Sequence, residues 1–444
     1  VELSDMQMSG MDCALGGRLT VDGLTSGIVL SSDELIATHS DLSNLSELAG
    51  RSLSGRASVD LAGYYQVLTG AFDVEGTVTG TDLRVDNEQL DHLLQGNSTI
   101  TLSVGRTEDG TDLHNLAINA QRISLTASGM SNNENLYLTA DFNVPTLADI
   151  DPNLAGMLNA NARLVGGPGA RQLKVTGAAS GLQTGITAID GAFAGETQLN
   201  AELLEGADGF NLTLLQLQNG QLKLDGSGAM TGGAVDANFD LDFNDLGALG
   251  ERFAGILKAQ AHFTGTNAGH NILITGAADG LSVGQNNVDG LLRGETQINI
   301  EASEAGGVIT LSDARITNEQ LSATATGSFG GAGTTANARL EIPTLAPMGA
   351  GWKGMFNADA IMTQGSDGTR EIRVTGAGQD LALGQQNVDG ALGGQTDITM
   401  LAEQTADGAL YMRSLDIKNP QLSAQASGQL VDGRASGQAA AQIA

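Results

Sequence analysis

The residues that come closest to a known chemical site are Asp240, Asp242, Asn244 and Glu251, whose spacing nearly fits a calcium-binding EF-hand loop. The sixth position of such a loop needs a glycine for its sharp turn, and Asp245 stands there instead. Because these acidic and amide residues alternate with apolar ones, we interpret them as the outward face of a β-strand.

Histidine and cysteine offer no better site. Cys13 has no second cysteine with which to form a disulfide within the chain, and no basic or histidine residue near it in the sequence that would activate its thiol. No Gly-x-Ser-x-Gly elbow, zinc-ligand spacing or phosphate loop occurs, so we expect no enzymatic activity, cofactor or metal. The 5 histidines are scattered and fall at no repeated position: His39, His92, His114, His262 and His270.

The composition favours a thin, acidic sheet protein. With 51 Asp and Glu against 21 Lys and Arg, the net charge of -30 would repel DNA or RNA, which excludes nucleic acid as a main partner. Aromatic residues make up 3% and glycine reaches 62 residues, which favours shallow aliphatic sheets with many turns. There is no long apolar run and no signal-like start at Val1, so we expect the interior of a longer protein.

The sequence repeats itself with a period of about 100 residues. A Thr-Gly pair begins at Thr79, Thr176, Thr275 and Thr375, and after the last three an Asp-Gly pair recurs at a fixed distance and a Gln-Leu pair at nearly the same distance. These landmarks predict one continuous array: an incomplete first repeat over 1–78, repeats over 79–175, 176–274 and 275–374, and a truncated last repeat over 375–444.

Within each repeat, apolar residues alternate with polar ones, as in the run from Val235 to Phe243, which indicates strands with one apolar face. Asp-Gly pairs between such runs predict tight hairpins, because these residues reach positive φ, so the strands should form an antiparallel meander. At about 12 residues per strand and turn, we expect roughly 35 strands. Asp-Gly pairs of this kind begin at Asp109, Asp208, Asp367 and Asp407.

Two finer features recur. The alternation is interrupted by one step of three, as between Leu212 and Leu215, and a single extra residue that restores the inward face predicts a β-bulge in every repeat. Segments with helical spacing, such as that of Leu246 and Leu249, predict short helices that cap one end of the strand stack.

The stretch from Asp41 to Leu61, DLSNLSELAGRSLSGRASVDL, and the stretch from Leu68 through Asp73 to Gly80 resemble interior repeats of the TamB family within the AsmA-like superfamily of envelope proteins. The resemblance implies an elongated, twisted antiparallel sheet curled into a groove, β-taco-like, in the periplasm of a Gram-negative bacterium. It also implies phospholipid transport between the inner and outer membranes and support of outer-membrane protein assembly with the barrel partner TamA. The family's inner-membrane anchor and TamA-binding region would lie outside this chain.

The inward apolar face would offer acyl chains the environment of a protein core. The residues leave two alternatives open: the face could close on itself and hold no ligand, or the chain could be a repetitive adhesin or autotransporter passenger β-solenoid. The predicted lining of a phospholipid groove is Leu113, Leu116, Ile118, Ile123, Leu125, Leu212, Leu215, Leu217, Leu222, Leu224, Phe239, Leu241, Phe243, Ile298, Ile300, Leu311, Ile316, Leu321, Leu340, Ile342, Met412, Leu415, Ile417 and Leu422.

If Asp240 and Asp242 point to water, replacing either with asparagine should change the free energy of unfolding by no more than about 0.5 kcal/mol. Urea unfolding of each variant, with and without calcium, measures this. A larger loss, or a calcium-dependent rise in the melting temperature, would show that the two carboxylates form a metal site.

Overall fold

A computed structural model describes residues 1–10, 12–23, 27–330, 333–365, 367–431 and 434–443, without the side chains of residues 5, 48, 188, 386 and 387. The contacts divide the chain into two units, Val1–Asn219 and Gly220–Ala444. Each unit is an antiparallel β-sheet with short helical segments between some of its strands, so the predicted all-β fold class is confirmed.

The first unit contains strands β1 to β13. Their bounds are Glu2–Gly10, Cys13–Asp22, Val29–His39, Ser54–Gln66, Phe72–Arg84, Asn97–Thr107, Gly110–Ala120, Ser124–Ser131, Leu136–Val144, Ala155–Gly166, Gln172–Gln183, Glu196–Gly206 and Gly209–Gln218.

The second unit contains strands β14 to β27. Their bounds are Leu222–Thr231, Ala234–Phe243, Ala254–Thr266, Gly269–Ser282, Glu295–Ala305, Val308–Thr317, Ser322–Phe329, Thr335–Ile342, Trp352–Gln364, Arg370–Leu383, Gln395–Gln404, Leu410–Lys418, Leu422–Val431 and Arg434–Ile443.

Within each unit, every strand pairs antiparallel with the strands before and after it in sequence, as the meander predicted. Among the described residues, β1 pairs only with β2 and β27 only with β26, so neither sheet closes into a barrel. All four Asp-Gly pairs join consecutive strands. Gly110, Gly368 and Gly408 take positive φ there, whereas Gly209 does not.

The strands recur in sets of six, which gives the 27 strands of the described residues rather than the roughly 35 expected. The estimate was too high because the strands run from 8 to 14 residues and each set also contains helical segments. The predicted repeat boundaries at 79, 176, 275 and 375 fall inside β5, β11, β17 and β23, while the contacts divide the chain between β13 and β14.

The predicted bulges are confirmed in all four repeats. In β13, Leu212 and Leu215 pair with Leu203 and Ala201, so the step of three on one strand faces a step of two on the other. The register shifts in the same way in β7, β19 and β25. The bulge keeps the apolar side chains on one face, and a hydroxyl inside it, that of Thr213, donates to the Glu202 carbonyl at 3.1 Å.

Two kinds of short helical segment lie at the same end of the strands, which we call the capped edge. The 3₁₀ caps are Leu42–Leu45 with helix α1 (Ser46–Ala49), Leu147–Asp149, Leu246–Leu249 and Ala346–Met348, and they include the predicted segments. The α caps are helices α2 (Glu88–Leu93), α3 (Thr187–Asp190) with Gly191–Phe193, α4 (Asn286–Leu291), and α5 (Gln386–Asp389) with Gly390–Leu392. Sequence reasoning treated the Asp-Gly pairs of the α caps as landmarks and missed these helices.

A repeated amide bracket joins the α caps to the sheet. At the α4 cap, the side chain of Asn318, which directly follows β19, donates to the Leu291 carbonyl at 2.8 Å and to the Thr296 hydroxyl at 3.0 Å. Thr296 is 0% exposed, so without this donor its hydroxyl would have no access to water. The same bracket is formed by Asn219 with Thr197 and by Asn419 with Thr396.

The first complete repeat lacks this bracket. Ser98 takes the place of the threonine and Ala120, its direct cross-strand partner, takes the place of the asparagine. Ser98 is 4% exposed, and its hydroxyl has no hydrogen-bond partner among the described residues. The Ser98 hydroxyl therefore lacks a hydrogen-bond donor because position 120 is alanine, whereas the later repeats have asparagine at the corresponding position.

Replacing Asn318 with alanine should lower the free energy of unfolding by about 2 kcal/mol, because the Leu291 carbonyl and the buried Thr296 hydroxyl both lose their donor. The reverse change, Ala120→Asn, should raise it by up to about 1 kcal/mol by giving Ser98 a partner. Urea unfolding measures both. The control is Asn357→Ala on an exposed strand position, and an equal loss in that control would contradict the bracket's role.

Candidate functional site

Each unit has one apolar face, built from side chains that lie directly opposite each other on successive strands. Cross-strand partners share a face of the sheet, so the register alone defines this surface. In the first unit, one row runs through Leu102, Leu116, Ala127, Ala140 and Ala162. Parallel rows run on either side of it, and we call the whole surface the apolar face.

All predicted groove residues fall on the apolar face of their own unit. Ile123 and Leu321 come immediately before β8 and β20 and share the face by alternation. The first unit carries Leu113, Leu116, Ile118, Ile123, Leu125, Leu212, Leu215 and Leu217. The second carries Leu222, Leu224, Phe239, Leu241, Phe243, Ile298, Ile300, Leu311, Ile316, Leu321, Leu340, Ile342, Met412, Leu415, Ile417 and Leu422.

Burial divides these residues into two groups. At the capped edge, Leu222, Phe243, Leu321 and Ile342 are buried, and Leu321 and Ile342 join a cluster with Leu291 and other residues of the caps. The four residues form part of a packed core and offer no surface to a ligand, which corrects their assignment to the groove lining. The caps thus cover one edge of the apolar face with a hydrophobic core of their own.

The central rows are only half-buried. Leu116, Leu215, Ile300 and Leu415 keep part of their surface open to solvent, and Ile316 is 37% exposed. Many of their cross-strand partners are alanine or glycine, such as Ala314 opposite Ile300, so large side chains do not fill every position of these rows. A core shielded on both sides would bury these leucines, so the central rows form an accessible apolar surface.

The opposite face is polar. Asp240 and Asp242 of β15 lie on it, where Asp240 accepts a hydrogen bond from Gln260 at 2.8 Å and Asp242 lies 3.8 Å from the Lys258 ammonium. Asp245 caps the next 3₁₀ segment by accepting from the Gly247 amide at 2.8 Å. Within the described part of the chain, no group of three or more histidine, cysteine or acidic side chains is placed to hold a metal ion.

Two histidines lie at positions that the histidine spacing does not indicate. His39 is 8% exposed at the capped edge, directly opposite Cys13. His270 does fall at a repeated position, at the open ends of the strands, where Arg171 and Arg370 occupy the same place in their repeats. The spacing of the histidines alone does not reveal this position, because arginine fills it in the neighbouring repeats.

The α caps are held by a repeated carboxylate. Asp289 accepts from the Val283 amide at 2.8 Å and from the Ser282 hydroxyl at 2.9 Å. The Val283 hydrogen bond, together with the others, holds the pKa of Asp289 below its usual value. The corresponding aspartates also accept a backbone hydrogen bond across the start of the cap: Asp91, Asp190 and Asp389.

No family model matches the chain, and no curated protein matches it. Within the described residues, no helix is long and apolar enough to cross a membrane. The class of protein defined by the fold is an open antiparallel β-sheet protein with one accessible apolar face in each unit.

Because the pKa of Asp289 is lowered on folding, its stabilising effect is complete above the unfolded pKa and is lost as the pH falls through the folded pKa. Replacing Asp289 with asparagine should therefore lower the melting temperature at neutral pH and reduce the further drop between neutral pH and pH ~3. Melting curves across this range measure the effect, with Asp242→Asn on the polar face as control. Identical pH profiles for wild type and Asp289→Asn would contradict it.

Proposed function

We propose that this chain is part of a periplasmic protein that carries phospholipid between two membranes by holding the acyl chains against its apolar face. The observation that supports the proposal is the run of half-buried aliphatic side chains that faces solvent in register from strand to strand. An aliphatic surface of this kind contacts an acyl chain along its length rather than at one point.

The energetics favour a long apolar ligand. Each CH₂ group removed from water contributes about 0.8 kcal/mol, so an acyl chain laid along the central rows gains free energy from its own surface and from that of the leucines it covers. The caps bury one edge of the face, which leaves the ligand only the central rows and the opposite rim.

The cellular setting comes from the resemblance to the TamB family in the residues between Asp41 and Gly80. On that basis we place the chain in the periplasm, bound to the inner membrane through a further segment, with TamA as the outer-membrane partner. We also propose that it supports outer-membrane protein assembly. The antiparallel strand pairing favours this proposal over a β-helix passenger, whose strands pair in parallel.

A photo-crosslinking residue at Ile316 on the apolar face should capture phospholipid in cells, whereas one at Leu273 should not. Both side chains lie in the second unit and are similarly exposed, 37% and 41%, but Leu273 points to the polar face. Mass spectrometry of the crosslinked adducts is the measurement. Equal capture at both positions, or capture at neither, would show that the apolar face holds no lipid.

The charged variant Ile316→Asp should block lipid passage, because an unpaired carboxylate in contact with acyl chains costs several kcal/mol. Leu273→Asp is the matched control and should leave lipid passage normal, since its carboxylate faces water. Normal lipid transport in cells that carry a folded Ile316→Asp variant would contradict the proposal.

A further inference from the structure

Charged side chains on the apolar face are confined to the strand ends opposite the caps, which we call the open rim. In the described strands, the central rows carry no charge on this face, and the capped edge carries only the buried His39. The charged or ionisable residues of the open rim are Arg106, Arg171, Glu205, His270, Glu304 and Arg370.

Three of the rim residues occupy one position of the repeat. Arg171, His270 and Arg370 each come two residues before an inward apolar residue of β11, β17 or β23, namely Leu173, Ile272 and Ile372. Alternation places each of them on the apolar face of its own unit. The same position of the apolar face thus carries a cation or an imidazole in three successive repeats, so these charges are regularly placed rather than scattered.

The set of six strands that begins with β5 carries its cation on the neighbouring strand. By strand register, Phe72 stands at the position of Arg171, because each lies eight residues before the partner of the buried capped-edge hydroxyl, Gly80 opposite Ser98 and Ala179 opposite Thr197. The direct cross-strand partner of Phe72 on β6 is Arg106. In the later sets the corresponding partner is Gln404 opposite Arg370 and Glu304 opposite His270. Each of the sets that begin with β5, β11, β17 and β23 therefore has one cationic or imidazole side chain at this pair of rim positions.

Two of these cations are not neutralised. Arg106 faces Phe72 and Arg370 faces Gln404, and neither has an ion pair among the described residues. Arg370 only donates a long hydrogen bond of 3.4 Å to the Gln404 side chain. Arg171 lies 3.8 Å from the Glu205 carboxylate, and the Glu304 carboxylate accepts from the Gly307 amide at 2.9 Å. The net charge of -30 opposes the approach of anions at long range, so the unpaired guanidinium groups at the open rim are the local groups that would pair with one.

Exposed apolar side chains also lie at the open rim, one strand beyond the acidic or amide residues that face the cations. Phe210 is 49% exposed opposite Glu205, Ile309 is 51% exposed opposite Glu304, and Leu410 is 42% exposed opposite Gln404. Along one strand the surface changes from a rim cation to an inward apolar residue within two residues, as from Arg171 to Leu173, which is roughly 7 Å. That distance matches the junction between the acyl chains and the headgroup of an amphiphile.

We propose that the open rim binds the phosphate of a glycerophospholipid through Arg106 and Arg370, and through Arg171 and His270 in their repeats, while the acyl chains lie on the central rows. Guanidinium groups present paired N–H donors that match phosphate oxygens, and imidazole can donate to them as well. This inference rests on the proposed function and adds to it the orientation of the lipid: headgroup at the rim, acyl chains toward the caps.

The test compares two ligands with the same acyl chains, dihexanoylphosphatidylglycerol and dihexanoylglycerol, titrated into the purified chain below their micelle concentrations. The wild type should bind the phosphate-bearing ligand more tightly, and added salt should weaken only that ligand. The double variant Arg106→Gln with Arg370→Gln should lower affinity for the phosphate-bearing ligand at each altered site by about three- to tenfold, and leave dihexanoylglycerol unchanged. Arg106→Lys with Arg370→Lys should keep most of the preference.

The control variant Arg315→Gln with Arg373→Gln removes two outward-facing arginines that pair with Asp313 and Glu371, and should change neither affinity. Equal wild-type affinity for both ligands, or an equal loss in this control, would overturn the headgroup assignment and leave the acyl-chain surface intact. Binding of neither ligand to the wild type would overturn the proposed function itself, and the headgroup assignment with it.

Discussion

The structure depends on one constraint: in an antiparallel sheet, the hydrogen-bonded strands must hold the apolar side chains on the same face, although in the described part of the chain the central rows of that face are only half-buried. Alternation satisfies the constraint over a few residues, and the bulge restores it where the sequence steps by three, as at Leu212 and Leu215. A one-residue error in register would place the leucines among the aspartates of the other face. The bulges are therefore as necessary to the apolar face as the leucines themselves.

The caps bury the apolar side chains at one edge of each sheet, which a single sheet layer would leave exposed. A single sheet has too little thickness to bury its side chains, and the α and 3₁₀ caps supply a second layer there, as Leu291 and Leu345 do over Leu321 and Ile342. Their backbone ends need partners once buried, and the Asn318 side chain and the Asp289 carboxylate provide them. Stability is thus concentrated at the capped edge, which leaves the central rows free to remain exposed.

The sequence predicted the strands, hairpins and bulges well because each of them depends on residues that are close together in the chain. Strands, hairpins and bulges follow from period-two alternation and Asp-Gly pairs, as in β15 from Ala234 to Phe243. The α caps were missed because a glycine within Asn286–Leu291 indicates a turn, and the tertiary contacts of Leu291 and Leu292 outweigh that preference. The burial of Leu222 and the alignment of Arg171, His270 and Arg370 could not be predicted, since both depend on how distant strands and caps come together in space.

The distribution of charge bears on how copies of this chain would interact through such a surface. An exposed aliphatic face promotes association between copies, and unpaired edge strands promote it further. Apart from Glu205 and Glu304 at the open rim, carboxylates such as those of Asp240 and Asp242 lie on the face that points away from the leucines, so the net charge of -30 repels other copies without placing a carboxylate on the central rows. A charge on the central rows would suppress association equally well, but it would lose its hydration against any apolar ligand laid there. The separation of the two faces thus fits the lipid-carrying function proposed above.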